Sequence, residues 1–325
     1  MTVDVLCLRP LADFERAGVA PPAMEIAYRG PADDDLPNLM KQARALVIPA
    51  VGPKLPAALF ENGAVRFVQV TGAGLDRLDI EALKRWKIVV ANVPGGSNDA
   101  VAEYVLTAAS TLLRRIAWAD HEIRQGNYAA FRARMIADNL AGTDGLLLGV
   151  VGFGMIGRAV ARAFRDRGCR ICYYDPGPVD KEEAERLGAQ ECSLGDLLKT
   201  ADVVTLHVPL LPLTRGIIGA HELGMMKPGA VLIQAARGGV VDEAALAQHL
   251  ESGQLAGAAV DVYTSEPPPA DHPLLTLKGE AASRLLLTPH IAGVTRQSAA
   301  FLFRTAWQNV ERVLIAKELP LNRVF

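Results

Sequence analysis

Gly149-Val150-Val151-Gly152-Phe153-Gly154-Met155-Ile156-Gly157-Arg158 spaces three glycines as G-x-G-x-x-G, between an apolar run and an amphipathic one. The run before the turn, Leu146–Val151, predicts a buried strand, and the periodic stretch from Met155 onward predicts a helix. Gly152 can make the tight turn, Gly154 lets a pyrophosphate approach the backbone, and Gly157 lets the helix pack closely on the sheet. The helix N-terminus then presents unpaired N–H groups and a favourable dipole to the phosphates. Alone, such a motif is a weak signal. Here a second predicted strand, Arg170–Tyr174, follows and ends at Asp175, roughly 20 residues beyond the motif, where an acid holds an adenosine ribose. Asp175 also repels a 2′-phosphate and no Arg follows it directly, so NAD is expected rather than NADP.

Outward from this turn, apolar runs alternate with amphipathic stretches. Leu146–Val151, Arg170–Tyr174, Asp202–His207, Val231–Gln234, Ala256–Val260 and Leu285–Leu287 predict six strands of a dinucleotide-binding sheet. Towards the N-terminus, Val3–Leu8, Ala45–Pro49, Phe67–Val70 and Ile88–Val90 read as strands, with helical segments at Lys54–Glu61 and Asp79–Arg85. The alternation predicts βαβ units and an α/β fold. Ser97 to Trp118 reads as one long helix, and Val294 to Lys317 as a closing one.

At 325 residues the chain suggests about two domains of roughly 150 residues. The 34 Lys and Arg against 36 Asp and Glu leave no broad basic surface, which argues against bulk nucleic-acid binding. The apolar stretch Leu146 to Gly157 is too short and glycine-rich to span a bilayer. The first residues carry an early acid and no basic region, so no signal peptide is expected and a cytoplasmic location is. Cys169 and Cys172 form a CxxC, but residues three apart on a strand point to opposite faces and no partner CxxC exists. A structural role is expected for them, and no metal site.

Three later strands each end in an unusual residue, on the side where open α/β sheets bind ligands. Arg237 follows Val231–Gln234, Glu266 follows Ala256–Val260, and His290 follows Leu285–Leu287. Singly, each has an ordinary structural explanation. Together they supply a bidentate fork for a carboxylate, a proton donor, and a carboxylate that orients the imidazole and favours its charged form. His272, close to Glu266 in the chain, is the rival acid; Pro289 and a strand end fix His290 better.

These motifs have a family likeness. Thr71-Gly72-Ala73-Gly74-Leu75-Asp76, Asn92-Val93-Pro94, Val101-Ala102-Glu103, the glycine turn with Asp175, His207-Val208-Pro209, Ala236-Arg237-Gly238, Asp261 to Glu266, and Thr288-Pro289-His290-Ile291-Ala292-Gly293 occur in order. The chain resembles the D-isomer-specific 2-hydroxyacid dehydrogenases over essentially its whole length. The resemblance implies two Rossmann-like parallel-sheet domains with the active site in the cleft: a discontinuous, flavodoxin-like substrate domain (1–100 and 291–325) and an inserted NAD-binding domain (101–290). It implies Arg237 as substrate anchor, Glu266 as partner and His290 as general acid/base, with backbone N–H groups of Gly72, Ala73 and Gly74 on the substrate carboxylate. Toward NAD it implies Gly152, Gly154, Met155, Ile156 and Gly157 at the pyrophosphate and Asp175 at the ribose. His207, Val208 and Pro209 would line the adenosine side. Ala235, Ala236, Arg237, Asp261, His290 and Gly293 would lie toward the nicotinamide, with Asp261 accepting from its carboxamide. Gln234 stands where the family usually has Asn. A homodimer paired through the cofactor domain is implied, with 117–139 as an exchanged arm.

The activity so implied is NAD-dependent interconversion of a small D-2-hydroxy acid and its 2-oxo acid, of the glyoxylate or hydroxypyruvate kind. Phosphoglycerate dehydrogenases often carry a basic segment where this chain reads Pro49-Ala50-Val51-Gly52-Pro53, which lacks donors for a phosphate. The alternatives are a D-3-phosphoglycerate dehydrogenase and a non-enzymatic NAD(H)-sensing corepressor on the same fold.

Overall fold

Uninterrupted apolar runs mark parallel strands covered on both faces, and the runs of this chain pair in that way. The structure is a computed structural model in which residues 3–325 are described. It divides into two units: the chain up to Ser97 with Val294–Phe325, and Asn98–Gly293. The first alternates β1 (Val5–Cys7), α1 (Leu11–Arg16), β2 (Ile26–Tyr28), α2 (Leu36–Met40), β3 (Ala45–Ile48), α3 (Ala58–Glu61), β4 (Phe67–Val70), α4 (Ile80–Arg85) and β5 (Val89–Ala91). Its strands are all parallel, in the flavodoxin-like order β2-β1-β3-β4-β5.

The second unit opens on α5 (Asn98–Leu113), α6 (Ile116–Arg124) and α7 (Tyr128–Ala137). Then follow β6 (Leu147–Val151), α8 (Met155–Arg165), β7 (Arg170–Tyr174), α9 (Lys181–Arg186), β8 (Ala189–Glu191), α10 (Leu194–Thr200) and β9 (Val203–Leu206). The unit continues with α11 (Ala220–Met225), β10 (Val231–Gln234), α12 (Glu243–Glu251), β11 (Gly257–Val260), α13 (Gly279–Ser283) and β12 (Leu285–Leu287). Seven parallel strands lie in the order β12-β11-β10-β9-β6-β7-β8. The order reverses between β6 and β9, and ligands of doubly wound sheets bind outside the strand ends at such a reversal. The last helix, α14 (Arg296–Leu314), returns to the first unit.

Two strands are additional to the sequence pattern, so the second sheet has seven rather than six. β2 and β8 are edge strands, each paired on one side only; Ala189-Gln190-Glu191 shows no apolar run, and Ile26-Ala27-Tyr28 is an isolated three-residue apolar stretch that packs partly against the core. The expected single helix from Ser97 to Trp118 is two helices. Arg115 adopts a left-handed φ of 51° between them, where its guanidinium lies 5.3 Å from the Trp118 ring and pairs with Asp138. Those contacts select a break that the helical pattern does not show. Cys169 packs with Phe164 and Ile171, and Cys172 with Leu197 and Leu198 in a separate cluster, so the two thiols face opposite sides of β7. All four cysteines are free.

The first unit is closed by aromatic packing. Phe14 of α1 is completely buried, with its ring centroid 4.7 Å from Phe303 and 4.9 Å from Trp307 of α14. Phe14→Ala removes this contact and leaves a cavity, an expected cost of about 3–5 kcal/mol. Urea denaturation followed by Trp fluorescence checks it; a loss under about 1 kcal/mol would show that the site collapses around the deletion.

Candidate active site

The glycine turn is built by close backbone approach. Gly152 has a φ of 96°, and a Cβ there would sit 2.7 Å from the His207 carbonyl. At Gly157 a Cβ would meet the Gly152 carbonyl oxygen at 2.1 Å, so only glycine lets α8 start beneath the turn. Gly154, the N-cap of α8, is different: a Cβ there meets nothing within 4 Å, and no side chain caps the helix. The turn thus offers uncapped N–H groups beside open space, an arrangement that fits a pyrophosphate. Met155 is exposed at this helix start, while Ile156 packs partly against the core. Asp175, at the end of β7, accepts from Phe153 N–H at 2.6 Å and from Gly177 N–H at 2.8 Å. Its carboxylate is therefore tied to the glycine turn itself.

His207 follows β9, and its Nε2 lies 2.9 Å from the Thr205 hydroxyl. Burial pushes its pKa down to about 3, so the ring is neutral at physiological pH and its Nδ1 is buried without a partner. Val208 is buried, its Cγ1 2.9 Å from where a Gly152 Cβ would stand. It shapes the turn from behind. Exposed Pro209 accepts through its carbonyl from Thr214, whose hydroxyl also receives Leu211 N–H at 2.8 Å.

Three strand ends carry the polar residues. After β12, His290 takes a left-handed φ of 56°, and its Nδ1 lies 2.8 Å from Glu266 Oε2 and 3.1 Å from Oε1. Tyr263 N–H donates to Glu266 Oε1 at 3.1 Å, fixing the carboxylate from its other side. The pair borders a pocket of about 410 Å³ lined by Tyr263, Pro267, Pro268, Leu287, Thr288 and Pro289. After β10, Arg237 donates from Nη1 to the Ala236 carbonyl at 2.7 Å. The Gln234 side chain braces this turn, donating to the Arg237 carbonyl at 2.9 Å and accepting from Ala236 N–H at 3.3 Å. The longer amide in the place of the usual Asn is therefore a working brace.

Asp261, only 1% exposed, ties the His290 turn down. Its Oδ1 accepts from the Thr288 hydroxyl at 2.6 Å and Ile291 N–H at 2.8 Å, and its Oδ2 from Ala292 N–H at 2.8 Å. Tyr104 of α5 extends the network, its hydroxyl 2.7 Å from that of Thr288. Ala235, Ala236 and Gly293 lie on the same strand-end loops. The sequence reading missed the roles of Gln234, Tyr104 and Thr288, because bracing of this kind depends on neighbours up to 184 residues apart. His272, the rival acid, is buried with its Nε2 3.0 Å from Glu243, away from solvent and bonded elsewhere.

Gly72, Ala73 and Gly74 belong to the first unit, on the loop after β4. Gly72 accepts through its carbonyl from Val93 N–H at 2.9 Å, and Ala73 accepts from the Asn92 side chain at 2.8 Å. Those bonds use the carbonyls of the loop. Among the described residues no cluster of three or more His, Cys, Asp or Glu could hold a metal ion, and no helix is long and apolar enough to cross a membrane.

The family model for the NAD-binding domain of the D-isomer specific 2-hydroxyacid dehydrogenases matches residues 106–292. The chain belongs to the D-isomer specific 2-hydroxyacid dehydrogenases. A glyoxylate reductase of Aeropyrum pernix is 36% identical over 248 residues, covering 76% of this chain and 72% of that one. A D-3-phosphoglycerate dehydrogenase of Archaeoglobus fulgidus is 36% identical over 258 residues, covering 79% of this chain and 46% of that one. The chain spans about half the length of the phosphoglycerate dehydrogenases it matches. The solved structure of a glyoxylate reductase from Paecilomyes thermophila superimposes with a TM-score of 0.80 at 27% identity, covering 100% of this chain and 99% of that one.

NAD is the cofactor of this family's domain, and the geometry separates two kinds of glycine within the turn. Gly154→Ala is expected to leave the melting temperature unchanged and weaken NADH binding at least about tenfold, since its side chain would enter the open space beside the uncapped helix start. Gly157→Ala is expected to destabilise the fold itself. Thermal melts beside NADH fluorescence titrations distinguish the two; equal effects at both positions would contradict the assignment.

Proposed function

We propose that this chain is an NAD-dependent oxidoreductase interconverting a small D-2-hydroxy acid and its 2-oxo acid. The observation that carries the reading is the Glu266–His290 hydrogen bond at a strand end of the sheet that also bears the glycine turn. Bound NAD supplies the hydride chemistry. In the reducing direction His290, its Nδ1 engaged by Glu266, gives a proton from Nε2 to the carbonyl oxygen; in the oxidising direction it takes that proton back. Arg237 anchors the substrate carboxylate and polarises the carbonyl. The first unit serves as the substrate domain, with Gly72, Ala73 and Gly74 as its substrate-binding residues; the second holds NAD. Asp175 binds the adenosine ribose, Met155 and Ile156 flank the pyrophosphate, His207, Val208 and Pro209 flank the adenosine, and Ala235, Ala236 and Gly293 the nicotinamide. Asp261 keeps capacity on Oδ2 for the carboxamide.

We read the substrate as unphosphorylated, of the glyoxylate or hydroxypyruvate kind. Arg77, 3% exposed, lies against Gly52, and its guanidinium donates to the Pro53 and Pro49 carbonyls at 2.9 and 3.1 Å. It braces the Pro49–Pro53 stretch rather than offering a fork to a phosphate. Similarity to phosphoglycerate dehydrogenases favours the phosphorylated acid as a second reading. We further read the protein as a cytoplasmic homodimer without a nucleic-acid partner. Ile116, Ile123, Tyr128 and Ile136 are exposed on α6 and α7, an apolar surface suited to pairing, and the charge is nearly balanced.

Steady-state assays of NADH oxidation with glyoxylate, hydroxypyruvate and 3-phosphohydroxypyruvate test the reading. A higher kcat/KM for the phosphorylated acid would establish the second reading, and NADH binding without any turnover would favour a sensing corepressor. Arg237→Ala and His290→Ala are expected to lower kcat/KM by about 100- to 1,000-fold. Glu266→Gln should cost less and move the pH optimum of reduction to lower pH, because the imidazolium loses its carboxylate partner. An unmoved profile would break the pairing of Glu266 with His290. Comparable kcat/KM for NADH and NADPH would overturn the role of Asp175.

A further inference from the structure

We propose that Glu243 and His272 form a positioning pair that fixes the segment carrying Glu266; the inference rests on the hydride-transfer reading above. Glu243 is the first residue of α12, and its side chain is 13% exposed. Its Oε1 accepts from Thr264 N–H at 2.8 Å, two residues before Glu266, and its Oε2 lies 3.0 Å from His272 Nε2, six residues after it. One carboxylate therefore grips the segment on both sides of the residue that meets His290.

The other nitrogen of His272 is also engaged. Leu274 N–H donates to Nδ1 at 3.3 Å, which makes Nε2 the hydrogen-bearing atom that donates to Glu243. The imidazole, 6% exposed, stands edge-on to the Tyr263 ring at 5.9 Å and 88°. Tyr263 in turn gives its N–H to Glu266 Oε1. Against this same segment lies Gly238, where a Cβ would fall 1.9 Å from the Tyr263 carbonyl oxygen. Arg237, α12 and the Glu266 segment are thus packed as one body, with the Glu243–His272 bond as its polar lock. Neither residue touches the pocket beside His290. A buried carboxylate–imidazole pair adds little net stability once desolvation is counted, but it selects one arrangement of the segment that carries it.

Beside the Glu266–His290 pair stand Tyr263, Asp261, whose carbonyl receives His290 N–H, Tyr104 and, through the backbone of Thr264, Glu243. Loosening the segment should weaken the Glu266–His290 bond and move His290 in the direction that Glu266→Gln moves it. The test compares His272→Leu, His272→Gln and Glu243→Gln with the wild type, following the His290 imidazole by ¹⁵N-edited NMR titration without substrate. In His272→Leu the His290 midpoint is expected to shift to lower pH, toward that of Glu266→Gln, with kcat down about 10- to 100-fold and KM little changed. His272→Gln keeps a donor to Glu243 and should restore both. If His272→Leu does not fold, Glu243→Gln, which preserves the acceptor for Thr264, carries the comparison and should shift His290 the same way. Titration curves superimposable on the wild type, even with a lower melting temperature, overturn the proposal. A wild type that turns over no 2-oxo acid while the NMR coupling persists overturns the function instead and leaves the pair standing.

Discussion

Asp261 accepts hydrogen bonds from the Thr288 hydroxyl and from the N–H groups of Ile291 and Ala292, while its own carbonyl receives His290 N–H at 2.8 Å. A carboxylate buried this deeply is tolerable only when its oxygens are satisfied, and here the donors that satisfy it belong to the turn that carries His290. His290 adopts a backbone conformation that non-glycine residues rarely take, and it persists because the surrounding bonds over-determine it. The imidazole is aimed at Glu266 by the same bonds that pay the desolvation of Asp261.

The other strand ends follow the same logic. Gln234 holds the Arg237 turn through both halves of its amide, and Gly238 admits the Tyr263 carbonyl where any side chain would collide. Each chemistry-bearing side chain stands on a loop, yet each loop is tied to its neighbour by buried polar groups. Pre-organisation of that kind lets charges act without reorganising during the reaction.

In the glycine turn, close packing and open space are divided among residues that look alike in a motif. Gly152 and Gly157 are glycine because backbone meets backbone, whereas Gly154 faces open space. Asp175 is held by Phe153 N–H, so the acid at the end of β7 is placed by the glycine turn itself. The neutral, partly buried His207 adds shape beside it and no charge.

What the sequence determined by itself were features whose signal is local. Apolar runs such as Val231–Gln234 and Arg170–Tyr174 mark strands, because a parallel strand is buried on both faces and cannot hide the fact. The glycine spacing, and the placing of Asp175, Arg237, Glu266 and His290 after strand ends, were legible because strand and turn patterns are local. Tertiary structure alone decided the rest. The edge strand β8 exists because β7 supplies its hydrogen bonds, not because its side chains are apolar. The break at Arg115 comes from Trp118 and Asp138, and the bracing by Tyr104, Thr288, Gln234, Glu243 and His272 comes from partners that only the folded chain brings within 3 Å or so. A polar side chain carries no mark in its own sequence of which distant donor will satisfy it; burial makes that choice, and burial belongs to the fold.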